Sequence, residues 1–212
     1  MSTFKIREAT LADASAIADI YNRYVRDTTI TFDLNEVSAG DFEHRIAQIQ
    51  KNYPYLVSTL EEQIIGYAYA DQWKAKDAYI QTAETTIYLN PKAHGKGYGL
   101  RLYNALLTAM PLFDLTTAIG CITIPNDASI VLHEKLGFEK VGEFKKVGYK
   151  FEEWHNVEQL EDRAIRCRER RLKRPEGDGA AIVRKRAIRQ VQHRLLAIAA
   201  VLAARMFGRG EE

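Results

Sequence analysis

His94-Gly95-Lys96-Gly97-Tyr98-Gly99 sets three alternating glycines between an apolar strand-like run, Thr85-Thr86-Ile87-Tyr88-Leu89, and a helix-like run over 100–110. Bare backbone N–H groups at the mouth of a helix make a seat for phosphate. The first helical N–H groups lack internal partners, and the helix dipole favours negative charge there. The G-x-G-x-G spacing is neither the dinucleotide G-x-G-x-x-G nor a P-loop, so an ordinary glycine-rich turn is the competing reading. Glu84 stands just ahead of this stretch. A carboxylate partly buried there has its pKa raised and can accept a proton; a solvent-facing strand glutamate is the plainer alternative.

The elements that must position these residues follow from periodicity. Phe4-Lys5-Ile6-Arg7 alternates as a short strand. Thr10-Leu11-Ala12-Asp13 reads as a capping box opening a helix through Tyr24, with Ile17, Ile20, Tyr21 and Tyr24 on one face. A second helix is expected over 38–51, then a hairpin of 55–60 and 64–69 around Glu61-Glu62-Gln63. Strands over 82–89 and 115–124 flank the glycine turn and its helix. Asn126 caps a further helix that ends at Leu136-Gly137. Two last strands fall at 138–147 and 155–160. Hairpins followed by strand–helix alternation define an α/β class: a mixed, largely antiparallel sheet with helices on both faces.

The chain has 212 residues and a formal charge of +2, which hides a split. Residues 1–162 hold 16 Lys+Arg against 23 Asp+Glu; residues 163–212 hold 14 against 5. That boundary separates a 1–162 domain from a basic, helical, amphipathic tail over 163–212. The tail suits an anionic membrane surface, nucleic acid or a partner helix, and a non-native extension with no selected role stands beside those readings. The apolar run 195–204 is too short to span a bilayer. With no apolar leader at residues 1–6 and only two cysteines, the expected setting is the cytoplasm. No Cys/His cluster has metal-ligand spacing, so no metal is expected.

The strand, basic-glycine turn, helix and strand, followed by Asn126-Asp127-Ala128-Ser129-Ile130-Val131-Leu132-His133-Glu134-Lys135-Leu136-Gly137-Phe138, resemble the GNAT N-acetyltransferases. The likeness is closest to the phosphinothricin and amino-acid N-acetyltransferases of that family. It rests on Tyr53-Pro54-Tyr55-Leu56-Val57, Gly66-Tyr67-Ala68-Tyr69, Trp73-Lys74-Ala75-Lys76-Asp77-Ala78-Tyr79, Glu84-Thr85-Thr86-Ile87-Tyr88-Leu89, Gly148-Tyr149-Lys150 and Trp154-His155-Asn156-Val157, and runs from about Ile6 to about Leu160.

The resemblance implies acetyl-CoA as co-substrate and direct transfer, in a ternary complex, to the amine of a small amino acid or analogue of the phosphinothricin, methionine sulfone or methionine sulfoximine type. A CoA-binding module, or an acetyltransferase for another amine tethered by the tail, is the alternative. Acetyl transfer needs the amine deprotonated, the carbonyl held by hydrogen-bond donors and the departing thiolate stabilised. On this resemblance Glu84 is the base and His133 the thiolate's proton donor, with a packed histidine as the other reading. The cofactor-binding residues are Ile87, Tyr88, Leu89, Gly95, Lys96, Gly97, Tyr98, Gly99, Leu100 and Asn126. The N–H of Leu89 or a neighbour serves the carbonyl, and Asn126 also fits a plain helix cap. Trp73, Lys74, Lys76, Tyr79 and Phe32 are expected to bind the substrate. Two residues depart from the family's habit: His94 stands where Gln or Arg is usual, and Lys76 where Arg is frequent. Cys121 is read as core, and a homodimer is expected because relatives often are.

Overall fold

Those periodicities are realised in a computed structural model that describes residues 3–162. The expected tail, with its membrane and nucleic-acid readings, lies outside the described residues. The order is β1 (Phe4–Glu8), α1 (Ala14–Asp27), α2 (Ala39–Ile49), β2 (Tyr55–Leu60), β3 (Gln63–Gln72), β4 (Thr82–Leu89), α3 (Tyr98–Ala109), β5 (Thr117–Ile124), α4 (Asp127–Lys135), β6 (Glu139–Lys150) and β7 (Glu153–Asp162). The strands form one sheet in the order β1-β2-β3-β4-β5-β7-β6. Among the described residues only the β4–β5 pair is parallel.

Local chemistry sets the boundaries. Thr10 and Asp13 cap each other, and Arg7 grips Asp13 through both guanidinium arms at 2.6 and 2.7 Å, tying the start of α1 to β1. Ser38 and Asp41 form the same reciprocal cap on α2. The β2–β3 hairpin closes on Glu61 and Glu62 alone, both at positive φ, as a two-residue turn matching the sheet twist requires; Gln63 has already joined β3.

Side-chain alternation loads both faces. Ile17, Ile20, Tyr21 and Tyr24 of α1, with Phe42 and Ile46 of α2, pack on Val57 and Tyr67. On the other face Leu102, Leu106 and Leu107 of α3 pack on Ala68, Ala83 and Ala118. Each such aliphatic side chain contributes roughly 1.5–3 kcal/mol on burial.

One irregularity positions the site. β4 and β5 pair only from Thr82↔Thr117 to Glu84↔Ile119 and then part. β4 continues along β3 to Leu89, while β5 continues along β7 to Ile124. A wedge therefore opens between 85–89 and 120–124. Thr85 guards its apex: its hydroxyl donates at 3.0 Å to the Ile119 carbonyl, just where the β4 ladder stops.

Candidate active site

The two walls of the wedge offer backbone groups. The Asn90 N–H reaches the Ile65 carbonyl of β3 at 2.8 Å. Antiparallel strands alternate bonding directions, so Tyr88 and Thr86 also turn their backbones to β3, leaving Ile87 and Leu89 facing the wedge. Of the three residues expected there, Tyr88 contributes no wedge-facing backbone; its ring lies edge-on to Tyr21 and Tyr24 on the α1–α2 side. The expected donor role of Leu89 or a neighbour thus narrows to the N–H groups of Ile87 and Leu89.

The glycine turn lies at the open end. Gly95 and Gly97 sit at φ of 72 and 77°, and Gly97 is the N-cap from which α3 starts. The first-turn N–H groups of Tyr98, Gly99 and Leu100 consequently point out of the helix end beside β4. The Tyr98 ring stacks on Phe4 at 4.9 Å and so turns away from the turn's mouth; its backbone alone remains there. Lys96 folds its ammonium onto the Lys92 carbonyl at 3.0 Å. An added Cβ at Gly66 would come within 2.3 Å of Leu89, and one at Gly99 within 2.9 Å, so the Leu89 side chain fills the space both glycines leave. That packing fixes the end of β4 against the start of α3.

His94 has a role that its spacing does not reveal. The Tyr24 hydroxyl donates to the Leu89 carbonyl and stands 3.0 Å from His94 Nε2. A phenol has one proton, so with it committed to Leu89, Nε2 is the donor to the Tyr24 oxygen. This residue links the glycine turn to α1 and the wedge. Asn126, at the β5 side of the mouth, caps α4 by accepting from the Ser129 N–H, and its Nδ2 donors are not consumed by the cap.

Glu84 occupies the other end of β4. It shares a sheet face with Thr86 and Tyr88 and is paired with Asp71 on β3 and Ile119 on β5. Burial pushes its carboxyl above the usual carboxylate range; a hydrogen bond from Cys121 draws it back in part, and Asp71 adds to the rise. Cys121 is exposed on this cleft face, not core as expected. Parity explains it: Gly120 and Ile122 turn to α3 and α4, which sends Cys121 to the opposite side. Desolvation first, then Glu84, push its thiol up to about 12, so it is an inert neutral thiol.

The substrate-loop residues gather near this end, since the loop leaves β3 one residue beyond Asp71 and re-enters just ahead of Glu84. The Lys74 ammonium lies 5.4 Å from the Trp73 ring centre and 5.5 Å from that of Tyr79. Lys76 caps the short turn that Tyr79 completes. Phe32 arrives from the segment between α1 and α2. Its ring covers Gly148, where a Cβ would approach to 2.2 Å, and it stacks near His155. Thr31 beside it bonds Tyr21 at 2.6 Å and accepts from Lys150 at 2.9 Å.

His133 is placed apart from these. It is 3% exposed on the α3–α4 side of the sheet, with the sheet between it and Glu84. Nε2 meets the Tyr103 hydroxyl at 2.9 Å and Nδ1 the Ser129 carbonyl at 2.8 Å. Burial lowers its pKa, which favours a neutral ring. Tyr103 Oη also lies 2.7 Å from the Thr85 hydroxyl, so these polar groups line up from His133 to the wedge apex. The ring also packs edge-on against Tyr103 and Phe138.

Among the described residues no group of three or more His, Cys, Asp or Glu could hold a metal ion, and no helix is long and apolar enough to cross a membrane.

A parallel pair that splays, a glycine turn at its mouth and a carboxylate at its apex together define an acyltransferase fold. Residues 6–157 match the acetyltransferase (GNAT) domain, and the chain belongs to that family of N-acetyltransferases. It is 37% identical over 153 residues, 72% of this chain and 84% of the relative, to a phosphinothricin N-acetyltransferase of Streptomyces viridochromogenes. It is 34% identical over 151 residues, 70% of this chain and 88% of the relative, to an L-methionine sulfoximine/L-methionine sulfone acetyltransferase of Pseudomonas paraeruginosa. The crystal structure of a GNAT superfamily phosphinothricin acetyltransferase from Sinorhizobium meliloti, in complex with acetyl-CoA, superposes with a TM-score of 0.72 at 33% identity, covering 76% of this chain and 88% of that one.

Proposed function

We propose that this chain transfers the acetyl group of acetyl-CoA to the α-amine of a small amino acid or analogue of the phosphinothricin or methionine sulfone type, directly within a ternary complex. The observation that carries this reading is one strand with a different chemistry at each end. β4 has a phosphate-seating turn beyond Leu89 and a carboxylate at Glu84, with backbone between them that is unpaired on the β5 side. Five residue steps of strand carry Glu84 to Leu89, about 17 Å, a span for an extended arm rather than a compact ligand.

Acetyl-CoA fits these residues and supplies the acyl group. Gly95, Lys96, Gly97 and the first N–H groups of α3 hold its pyrophosphate; Ile87 and Leu89 hold its arm as an added strand would be held. The Nδ2 of Asn126 serves the arm from the β5 side. Glu84 takes the proton an ammonium must lose before it has a lone pair, and its raised pKa makes it a better base than an ordinary exposed carboxylate. Trp73, Lys74, Lys76, Tyr79 and Phe32 orient the acceptor. Cys121, held as a neutral thiol, is no nucleophile, which favours direct transfer. The test is release of free thiol from acetyl-CoA with phosphinothricin, methionine sulfone and methionine sulfoximine. Amine-dependent release is expected, and its absence with every amino acid and analogue tried overturns the proposal.

We assign His133 to the architecture and not to the thiolate, which takes the second proton that the attacking nitrogen sheds as the C–N bond forms and the C–S bond breaks. His133→Phe removes the donor to the Ser129 carbonyl and the partner of Tyr103 Oη, and is expected to cost about 1–3 kcal/mol of stability. Turnover of the folded variant should fall far less than when Glu84 is altered. A normal melting curve with turnover lost would return His133 to the chemistry.

The expected homodimer has support at the sheet edge. Among the described residues β6 pairs only with β7, and Val141, Phe144 and Val147 on it are each more than half exposed. An edge strand that exposes three large apolar side chains among its charged ones can pair, and an antiparallel copy of itself across a two-fold axis is self-complementary. Light scattering should give twice the chain mass, falling to the single mass in Val141→Lys/Phe144→Lys. A wild-type monomer at micromolar concentration rejects the dimer.

A further inference from the structure

Arg45 carries no motif in the sequence, yet it is placed on the acceptor side of the cleft. It projects from α2 over the Phe42 ring at 5.2 Å and near the Tyr21 ring at 6.0 Å. Tyr21 packs edge-on against Tyr88, which shares the cleft face of β4 with Thr86 and Glu84. Tyr69, paired with Thr86 across the β3–β4 ladder, feels Arg45 on one side and Asp71 and Glu84 on the other. The guanidinium therefore looks onto the same face as the proton-accepting carboxylate.

Its pairing is the loosest of its kind. Nη2 lies 3.7 Å from Asp33 Oδ2, beyond hydrogen-bond reach, while the other five ion pairs among the described residues close at 2.6 to 3.1 Å. That same Asp33 oxygen accepts from the Tyr21 hydroxyl at 2.7 Å, so one of its lone pairs is taken by a group other than Arg45. Two aromatic rings hold the side chain while it stays 43% exposed. An ordered guanidinium whose fork is not closed on a carboxylate is a preorganised seat for a planar or tetrahedral oxyanion. Three of the other four arginines among the described residues are committed elsewhere: Arg7 to Asp13, Arg26 to Glu36, Arg101 over Phe4. The loop lysines, Lys74 and Lys76, supply point charges but no fork.

We propose that Arg45 is a specificity-determining residue that binds an anionic group of the acceptor, so that this chain favours amino acids whose side chain carries a second anionic group over those whose side chain is neutral. The inference rests on the amino-acid acetyltransferase reading above. With Asp33, Asp71 and Glu84 all near this face, a doubly anionic acceptor is repelled unless cations meet both of its acidic groups; Arg45 from α2 and Lys74 from the loop after β3 supply two separated ones.

The experiment compares phosphinothricin, with an anionic side-chain group, and methionine sulfone, with a neutral one, as acceptors for wild type, Arg45→Gln and Arg45→Lys. For Arg45→Gln, KM for phosphinothricin should rise about tenfold or more at little-changed kcat, as losing a charged hydrogen-bond donor predicts. KM for methionine sulfone should stay within about threefold, and Arg45→Lys should recover part of the phosphinothricin loss. Equal KM changes for both acceptors, or none, overturn the assignment while leaving the enzyme reading intact. A wild-type chain that acetylates neither acceptor nor any other amino acid removes that reading and this one with it. Melting curves of the three proteins expose a variant that fails to fold, and Arg45→Lys, which keeps the stem and charge, then decides by the same KM comparison.

Discussion

Glu84→Gln is expected to lower kcat/KM by about a hundredfold or more and, at neutral pH, to raise the melting temperature. The two effects share a cause. Burial raises the Glu84 pKa, with the Cys121 thiol opposing and Asp71 reinforcing the shift. A carboxyl raised on folding holds its proton more tightly in the folded chain than in the unfolded one. Its favourable contribution is complete below the unfolded pKa, near 4.5, and is lost as pH climbs through the folded value. At neutral pH the ionised group therefore weighs against the fold, and that same reluctance to stay ionised makes it a competent base. Glutamine keeps the shape and discards the charge. The gap in melting temperature between variant and wild type should accordingly be larger at pH 7.5 than at pH 4. The acid limb of kcat/KM in the wild type should be missing from any residual activity of the variant. Near-normal turnover would take the proton transfer away from Glu84. Lost turnover with a lower melting temperature at both pH values would mean that the carboxylate mainly supports the cleft.

That site is partly legible in the amino-acid sequence, and the divide is physical. Element types and order follow from local rules: the Thr10–Asp13 box, the helix opening at Ser38, the Asn126 cap and Gly137 at φ 91° are short-range chemistry and stand where expected. The last hairpin is harder. β6 and β7 run to 12 and 10 residues, longer than the strands expected at 138–147 and 155–160. β6 is exposed along most of its length, so no alternation marks its ends, and its turn uses Phe151 and Glu152 at positive φ instead of glycine. Sheet order is a long-range property: β7 inserts between β5 and β6 by pairing residues 156–162 with 118–124. The side on which a strand residue emerges follows from that register. Glu84 and the glycine turn are visible because their neighbours in sequence are their neighbours in space. Cys121 emerges on the cleft instead of in the core, His133 is buried against Tyr103 and Phe138, and Arg45 and the Tyr24–His94 link have no local signal, because partners far along the chain place them.

Gly97→Ala should raise KM for acetyl-CoA about tenfold while leaving kcat at saturation and KM for the amine within about threefold. Contact is not the reason. An added Cβ at Gly97 or Gly95 meets nothing within 4 Å, whereas at Gly99 it would press on Leu89 at 2.9 Å. The cost lies in the backbone, since φ of 77° strains an L-residue by roughly 1–2 kcal/mol, and 1.4 kcal/mol is tenfold in an equilibrium constant. Part of that strain is relieved if φ turns negative, and the relief swings the first N–H groups of α3 off the phosphate seat. Asparagine separates backbone from bulk. It carries a larger side chain than alanine but tolerates the left-handed region far better. If conformation controls the seat, Gly97→Asn binds acetyl-CoA more tightly than Gly97→Ala despite its size. If the two bind equally weakly, or asparagine is worse, side-chain volume beside the pyrophosphate is decisive and the turn works by shape. If both bind as the wild type does, the helix N-terminus is not where the pyrophosphate rests. The thioester would then be held by Ile87 and Leu89 alone, and His94, bonded to Tyr24 at the other side of the turn, would have no ligand to organise.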